Sequence, residues 1–239
     1  MTLVRRYWLE SVALVLITLS VFRSMTVAAD VTQGDVQRLM YVHVPSAWLA
    51  FLAFGVTVVG SVAWLRTRDL KWDRVAASSA EIGTVFTGLA IVAGMIWARP
   101  VWGQFWTWEP RLVTTSLLFF IYLGYLALRR AVLDPIQRAR RAAIMGIVAF
   151  VQVPIVYESV NWWRSLHQTQ SRNSIDTPLR ITLLFAVIAF TFVYAVLMRR
   201  RLELARIEAE IEDRQSVDEP ELAGAGITAP TLEEVGPGA

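Results

Sequence analysis

The chain has 239 residues, of which 55% are hydrophobic and 18% charged, and its formal net charge is +3. A soluble domain of this size carries more charge and shorter apolar runs, so the composition excludes an ordinary soluble domain. Cysteine is absent, which excludes structural disulfides, thiolate metal ligands, a redox CxxC pair and a CxxCH attachment motif.

Apolar runs of roughly 20 residues recur along the chain, and about 20 apolar residues are what a helix needs to cross a bilayer. They predict an all-α polytopic membrane protein with six transmembrane helices. The predicted spans are 8–29, 46–65, 78–98, 112–128, 142–160 and 179–198. The first follows Arg5 and Arg6, as a signal peptide would, but it is long and no small-residue cleavage site stands out, so we interpret it as a retained anchor. Pro154 lies inside the fifth span and predicts a kink there.

Positive charge in the connectors predicts the orientation. One set of connectors and chain ends holds 14 Lys and Arg residues, whereas the opposite set, at 30–45, 99–111 and 161–178 with their edges, holds 6. Cytoplasmic connectors are the ones enriched in Lys and Arg. We therefore expect a protein integral to the cytoplasmic (inner) membrane, with both termini cytoplasmic and these three connectors facing outward.

Charge also divides the chain along its length. Residues 1–201 hold 21 basic and 10 acidic residues, and residues 202–239 hold 2 and 10. We expect a six-span membrane domain over 1–201 and a cytoplasmic acidic tail over 202–239. The tail should be helical to about Arg214 and disordered beyond it, where Pro, Gly and acidic residues dominate. This distribution does not suggest a nucleic-acid partner.

The most distinctive connector is 101–111, which reads VWGQFWTWEPR. A Trp-rich connector lies on the membrane interface or forms a platform for a flat ligand, because an indole is part apolar and part hydrogen-bonding. Trp102 and Trp106 fit one face of a short helix together with Phe105.

The two histidines of the chain, His43 and His167, fall in the other two outward connectors. Pro45 favours a helix whose first turn lies at that proline, with His43 just above it. Two neutral imidazoles on facing connectors suit a low-spin haem iron that is ligated on both faces. Interfacial side chains are the simpler alternative for each. A zinc site that adds Glu109 or Glu158 also stays open.

A haem would need an apolar wall and cations for its two propionates. Aromatic residues of the outward connectors can supply the wall, and arginines there match carboxylates with two hydrogen bonds, unless they meet lipid phosphates instead. The candidates are Trp102, Trp106, Trp162, Trp163, Arg99, Arg111, Arg164 and Arg172.

Three stretches, YVHVPSAW, WGQFWTWE and SVNWWRSLHQ, resemble the signature segments of the CcmC family, and the resemblance covers about residues 7–198. That family comprises the haem-handling subunits of the multi-component cytochrome c maturation system, within a wider tryptophan-rich superfamily. The resemblance implies non-covalent haem b on the outer face, with axial ligands and platform at His43, His167, Trp102, Gly103, Trp106 and Trp108.

The same resemblance implies presentation of haem rather than catalysis by this chain. The implied partners are a membrane-tethered haem chaperone, a pair of ATP-driven transporter subunits and a small single-span subunit. One position departs from the family pattern: Glu109 stands where the motif usually closes with Asp. The carboxylate is kept, but its reach changes.

Two other functions stay open from the sequence. A b-type cytochrome of a membrane oxidoreductase would also bind haem, although such proteins usually place ligand histidines within their spans. A haem permease would need polar residues along an inward path, and the predicted spans carry few of them.

Overall fold

The structure, a computed structural model, describes residues 3–167 and 175–224, and the regular elements of those residues are helices. They are α1 (Leu3–Thr26), a 3₁₀ helix (Asp35–Leu39), α2 (Met40–Thr67), α3 (Leu70–Trp102), α4 (Pro110–Ala131), α5 (Pro135–Phe150), α6 (Gln152–Trp162) and α7 (Thr177–Gly224). Six segments of the described chain are long and apolar enough to cross a membrane: Tyr7–Thr26, Asp35–Thr67, Leu70–Trp102, Pro110–Ala131, Pro135–Trp162 and Thr177–Glu212. The predicted all-α polytopic fold is confirmed.

Helix α2 lies at the centre of the bundle, against α3, α5 and α7. Its buried face includes Leu49 and Phe54, and the ring of Phe54 stacks on Tyr122 of α4 with 3.6 Å between centroids. Helix α3 approaches α2 closely at Gly83, where an added Cβ would lie 2.7 Å from the Phe54 ring. Small residues permit such close packing of membrane helices, which lack a hydrophobic drive towards one another in lipid.

The outer faces of the bundle are apolar. On α1, for example, Leu14, Val15 and Phe22 are 66%, 56% and 64% exposed. A soluble protein would not leave such a continuous apolar surface in water. These faces therefore contact lipid.

The two ends of the bundle differ in chemistry. His43 and His167 mark one end, which we call the histidine end. At the opposite end, basic side chains pair with acidic ones on other helices: Arg129 with Asp73, Arg201 with Glu81, Arg200 with Glu10, and Arg138 with Glu212. These pairs tie α4 to α3, and α7 to α3, α1 and α5.

Two local predictions are wrong. Helix α2 begins at Met40, five residues before Pro45, which lies inside the helix rather than in its first turn. His43 is consequently in the first turn of α2. Burial of Met40 and Tyr41 against Ala186 of α7 stabilises this early start. The second error is the short helix expected for the Trp-rich connector: α3 ends at Trp102, and residues 103–109 are not helical.

Gly103 explains that second difference. Its φ of 80° lies in the left-handed region, and its N–H donates to the carbonyl of Arg99 at 3.0 Å. A glycine in this conformation ends a helix because other residues pay a steric penalty there.

The kink predicted at Pro154 is present as a break between α5 and α6 at Val151. The proline ring clashes with the carbonyl four residues earlier, that of Phe150, where α5 ends. Helix α7 instead runs unbroken to Gly224, past the Arg214 at which the predicted tail helix ends. The expected disorder falls largely on 225–239, outside the described residues, so the domain division stays a prediction.

Candidate functional site

His43 belongs to α2, and its imidazole packs against α3. Its Nδ1 lies 2.8 Å from the carbonyl oxygen of Ala90. Its ring meets Trp97 edge to face, with centroids 5.9 Å apart. A Cβ at Gly94 would lie 2.8 Å from the imidazole Cε1, so glycine is the residue that lets the ring lie against α3 here. Ala90, Gly94 and Trp97 follow the i, i+4, i+7 spacing of one helix face.

The contact with Ala90 selects the tautomer of His43. A carbonyl oxygen accepts but cannot donate, so Nδ1 must carry the proton in the neutral ring. Nε2 is then the nitrogen with a free lone pair. A histidine that ligates a metal typically donates its other ring N–H to such a partner, which fixes both tautomer and orientation.

His167 is held by the connector that precedes α4. Its Nδ1 lies 2.9 Å from Oε1 of Glu109, in an alignment too poor for a well-directed hydrogen bond. The contact is therefore a close electrostatic one. Trp102 meets the His167 ring edge to face at 5.2 Å between centroids. As at His43, the contact made by the described residues is to Nδ1, and none of them bonds Nε2.

Glu109 is buried, with its side chain 5% exposed, and it is the N-cap of α4. Its Oε1 accepts the backbone N–H of Leu112 at 2.8 Å, and its Oε2 accepts the hydroxyl of Ser165. Burial raises the pKa of this carboxyl group, but the contacts with His167 and Ser165 outweigh burial and hold the pKa at about 2. Glu109 is therefore ionised at neutral pH. Pro110, at N1 of α4, suits the start of a helix.

Both histidines lie against the end of α3. The tryptophans that they contact, Trp97 and Trp102, are five residues apart, which is about 7.5 Å along a helix axis. Within the described residues, no three His, Asp or Glu side chains form a group that could hold a metal ion, so the zinc alternative finds no support there.

The predicted arginines have different surroundings. Arg99 is exposed, donates to the Gly103 carbonyl and lies 5.7 Å from the Phe105 ring centroid. Arg111 donates to the carbonyl of Tyr157 at 2.8 Å, and its Nε is buried with no partner among the described residues. Arg164 is exposed. Arg172 lies outside the described residues.

The other predicted aromatics pair with one another rather than with a histidine. Trp106 meets Trp108 at 5.7 Å between centroids, and Trp108 is 85% exposed. Trp162 meets Trp163 at 5.8 Å. Both pairs lie at the histidine end and present indole surface outward.

Sequence reasoning missed the residues that position the imidazoles. Ser165 precedes His167 by two residues and contacts both its N–H and Glu109. The α3 face of Ala90, Gly94 and Trp97 has helical spacing, but nothing in the sequence assigns it to His43. The indole of Trp97 also donates to Gln33 at 2.9 Å, which fastens the α1–α2 connector to the same end.

Comparison with known proteins places these features in context. The family model described as "CcmC: Heme exporter protein C" matches residues 1–217. "Heme exporter protein C" of Bradyrhizobium diazoefficiens is 38% identical over 213 residues, covering 87% of this chain and 79% of that protein. The protein of the same name in Escherichia coli K12 is 33% identical over 198 residues, covering 82% and 81%. A "Putative cytochrome c biosynthesis ccmC-like mitochondrial protein" of Arabidopsis thaliana is 33% identical over 219 residues, covering 87% and 83%.

Proposed function

Because the chain belongs to the CcmC family, that of Heme exporter protein C, we propose that it binds haem at the histidine end and passes it on during cytochrome c maturation. The observation that carries this proposal is that both imidazoles contact a protein oxygen through Nδ1. Each Nδ1 contacts an acceptor of the protein, the Ala90 carbonyl or the Glu109 carboxylate, and no described residue bonds either Nε2. Two available Nε2 atoms would supply the donors of a bis-histidine iron site.

The residues present fit a haem. Trp97 and Trp102 flank the imidazoles edge-on, and the Trp106–Trp108 pair adds indole surface for a porphyrin. The buried, unpartnered Nε of Arg111 offers a donor to a propionate, with Arg99 and Arg164 as further cations nearby. Bound haem supplies the iron and the reactive vinyl groups. The protein's part is to orient the ring and to exclude water from its apolar face.

Because the haem must be passed on, we expect this site to bind it with limited affinity. If His43 and His167 both ligate the iron, release of haem would require that at least one of them gives up its place to another ligand. We expect a membrane-tethered haem chaperone to be the acceptor. The expected partners of this chain in the same assembly are the transporter pair and the small single-span subunit.

The proposed orientation follows from charge. The histidine end carries the connectors poor in Lys and Arg, which by the positive-inside rule face outward. Both termini would then be cytoplasmic, and the haem would be presented on the outer face of the inner membrane.

Substitution of the two histidines tests the proposal. His43→Ala and His167→Ala, purified as full-length protein, should each abolish or strongly weaken the Soret band of a low-spin haem. Trp48→Phe on α2 serves as a matched control because Trp48 bonds Thr191 of α7 and contacts neither imidazole. Unchanged haem content in both histidine variants would rule out axial ligation.

Placement of His43 within α2 bears on the b-type cytochrome alternative, whose ligands usually lie inside spans. His43 is in the first turn of α2, in the first third of the apolar segment Asp35–Thr67, and its ring lies against Ala90 and Gly94 of α3. We take this position nearer one end of the segment as support for presentation of haem near the membrane surface.

A further inference from the structure

A cleft of about 190 Å³ opens at the end of the bundle opposite the histidines, between the start of α3 and the continuation of α7. Three basic and three apolar residues line it. The lining residues are Lys71, Trp72, Arg74, Val75, Leu202 and Arg206. The volume is several times the share of about 30 Å³ that one water occupies in the liquid.

Acidic residues near this cleft are already paired. Asp69 contacts Lys71 at 2.9 Å, and Asp73 holds Arg129 in two hydrogen bonds of 2.6 and 2.8 Å. On α7, Glu203 pairs with Arg199 and Arg200, and Glu208 pairs with Arg201. Asp69 neutralises Lys71 of the cleft, and the other carboxylates pair with arginines that lie outside the cleft.

Arg74 and Arg206 are the two arginines of the cleft for which these carboxylates provide no salt bridge. Neither makes a salt bridge with any described residue, although Glu210 lies one turn beyond Arg206 on α7. Lys71 has Asp69 as a partner and lies 5.7 Å from the Trp72 ring centroid. The cleft therefore gathers two unpaired guanidinium groups and one ammonium group around a common space.

The position of the cleft identifies the kind of anion. Trp72 and Val75 lie in the first two turns of α3, and Leu202 lies where α7 continues from its apolar segment into its charged one. Tryptophan and basic side chains with this distribution are typical of the membrane–water boundary. An anion bound here would have an apolar neighbour on its membrane side and cations around its charged group.

We propose that this cleft binds the phosphodiester headgroup of an anionic phospholipid, with Arg74 and Arg206 as its principal ligands. The guanidinium groups match phosphate oxygens with paired N–H donors. Trp72, Val75 and Leu202 accommodate the glycerol and upper acyl carbons. The bound lipid joins the start of α3 to α7. The same two helices are also linked by the ion pair between Arg201 of α7 and Glu81 of α3.

The test uses full-length protein purified in detergent, with phosphatidylglycerol as the anionic probe and phosphatidylcholine as the neutral one. We expect native mass spectrometry to show retention of phosphatidylglycerol in preference to phosphatidylcholine. Arg74→Gln combined with Arg206→Gln should weaken this retention by roughly tenfold or more, since each basic side chain near a membrane surface contributes measurably to binding an anionic lipid. Thermal stabilisation by added phosphatidylglycerol should be lost in the same variant.

Arg66→Gln combined with Arg140→Gln is the matched control. Both arginines are exposed at the same end of the bundle and lie outside the cleft. An equal loss of lipid in this control would overturn the proposal, because it would show diffuse charge attraction. Stabilisation by inorganic phosphate that matches the effect of phosphatidylglycerol would also overturn it, since the site would then serve a soluble phosphate. Haem binding measured on each variant verifies that the fold is intact.

Discussion

Glu109 offers the sharpest test of how the site is built. Its carboxylate caps α4 at Leu112, accepts the Ser165 hydroxyl and lies 2.9 Å from Nδ1 of His167. Glu109→Gln keeps the size of the side chain and an oxygen for the cap, but it removes the charge that faces the imidazole. The substitution therefore separates the electrostatic role of Glu109 from its structural one.

The expected magnitudes follow from these contacts. Loss of a partner that orients a metal-ligating histidine typically lowers metal affinity by about 10- to 100-fold, and we expect this loss of haem affinity in Glu109→Gln. Glu109→Ala also removes the N-cap, which costs about 1 kcal/mol, and leaves Ser165 without its acceptor, which costs about 1–3 kcal/mol. The alanine variant should therefore lose stability as well as haem, whereas the glutamine variant should mainly lose haem.

The assay is titration of haem into the purified apo-protein, followed at the Soret band, with thermal unfolding measured on the same samples. Glu158→Gln is the control because Glu158 bonds Asn161 at 2.8 Å and contacts neither imidazole. Glu109→Asp should fall between wild type and Glu109→Gln, since it keeps the charge and the cap but shortens the reach to His167. Wild-type haem affinity in Glu109→Gln, or an equal loss in Glu158→Gln, would refute the assigned role.

Three further outcomes follow from the structure. Trp102→Ala with Trp106→Ala should leave the protein inserted but lower haem transfer to the chaperone, and full transfer in a reconstituted assay would contradict the platform role. Removal of residues 215–239 should leave the Soret band intact, because the histidine end lies at the other end of the bundle; loss of haem would show that the tail contributes. Arg129→Met should lower stability by about 3–5 kcal/mol, because Asp73 is left as a buried, unpaired charge, while Arg129→Met with Asp73→Asn should recover part of that loss in thermal unfolding.

The spans and the break near Pro154 could be predicted because their causes are local. Apolar length sets a transmembrane helix, and a proline removes a particular hydrogen bond whatever surrounds it. The residue at which α2 begins is instead determined by a contact between distant parts of the chain. Pro45 is a strong local signal for a helix beginning, but burial of Met40 and Tyr41 against α7 outweighs the one hydrogen bond that the proline lacks. That contact joins residues far apart in sequence, so no local pattern reports it.

The histidines could be assigned to one end of the bundle from charge and span number, but not to their partners. The Ala90 carbonyl that fixes His43 is a backbone atom, and any residue type at that position would supply it. Glu109 departs from the family motif, in which Asp is usual, by one methylene of reach. The structure shows that the longer side chain caps α4 and still contacts His167, which sequence spacing alone does not reveal.

The different partners of the two imidazoles bear on how haem would leave. A carboxylate beside Nδ1 raises the basicity of an imidazole more than a neutral carbonyl does, because it stabilises positive charge on the ring. His167, with Glu109, would therefore be the stronger donor to iron, and His43, with Ala90, the weaker one. If both histidines ligate haem as proposed, this inequality would make the bond to His43 the first to exchange, and His167 with its connector would keep the porphyrin at the histidine end.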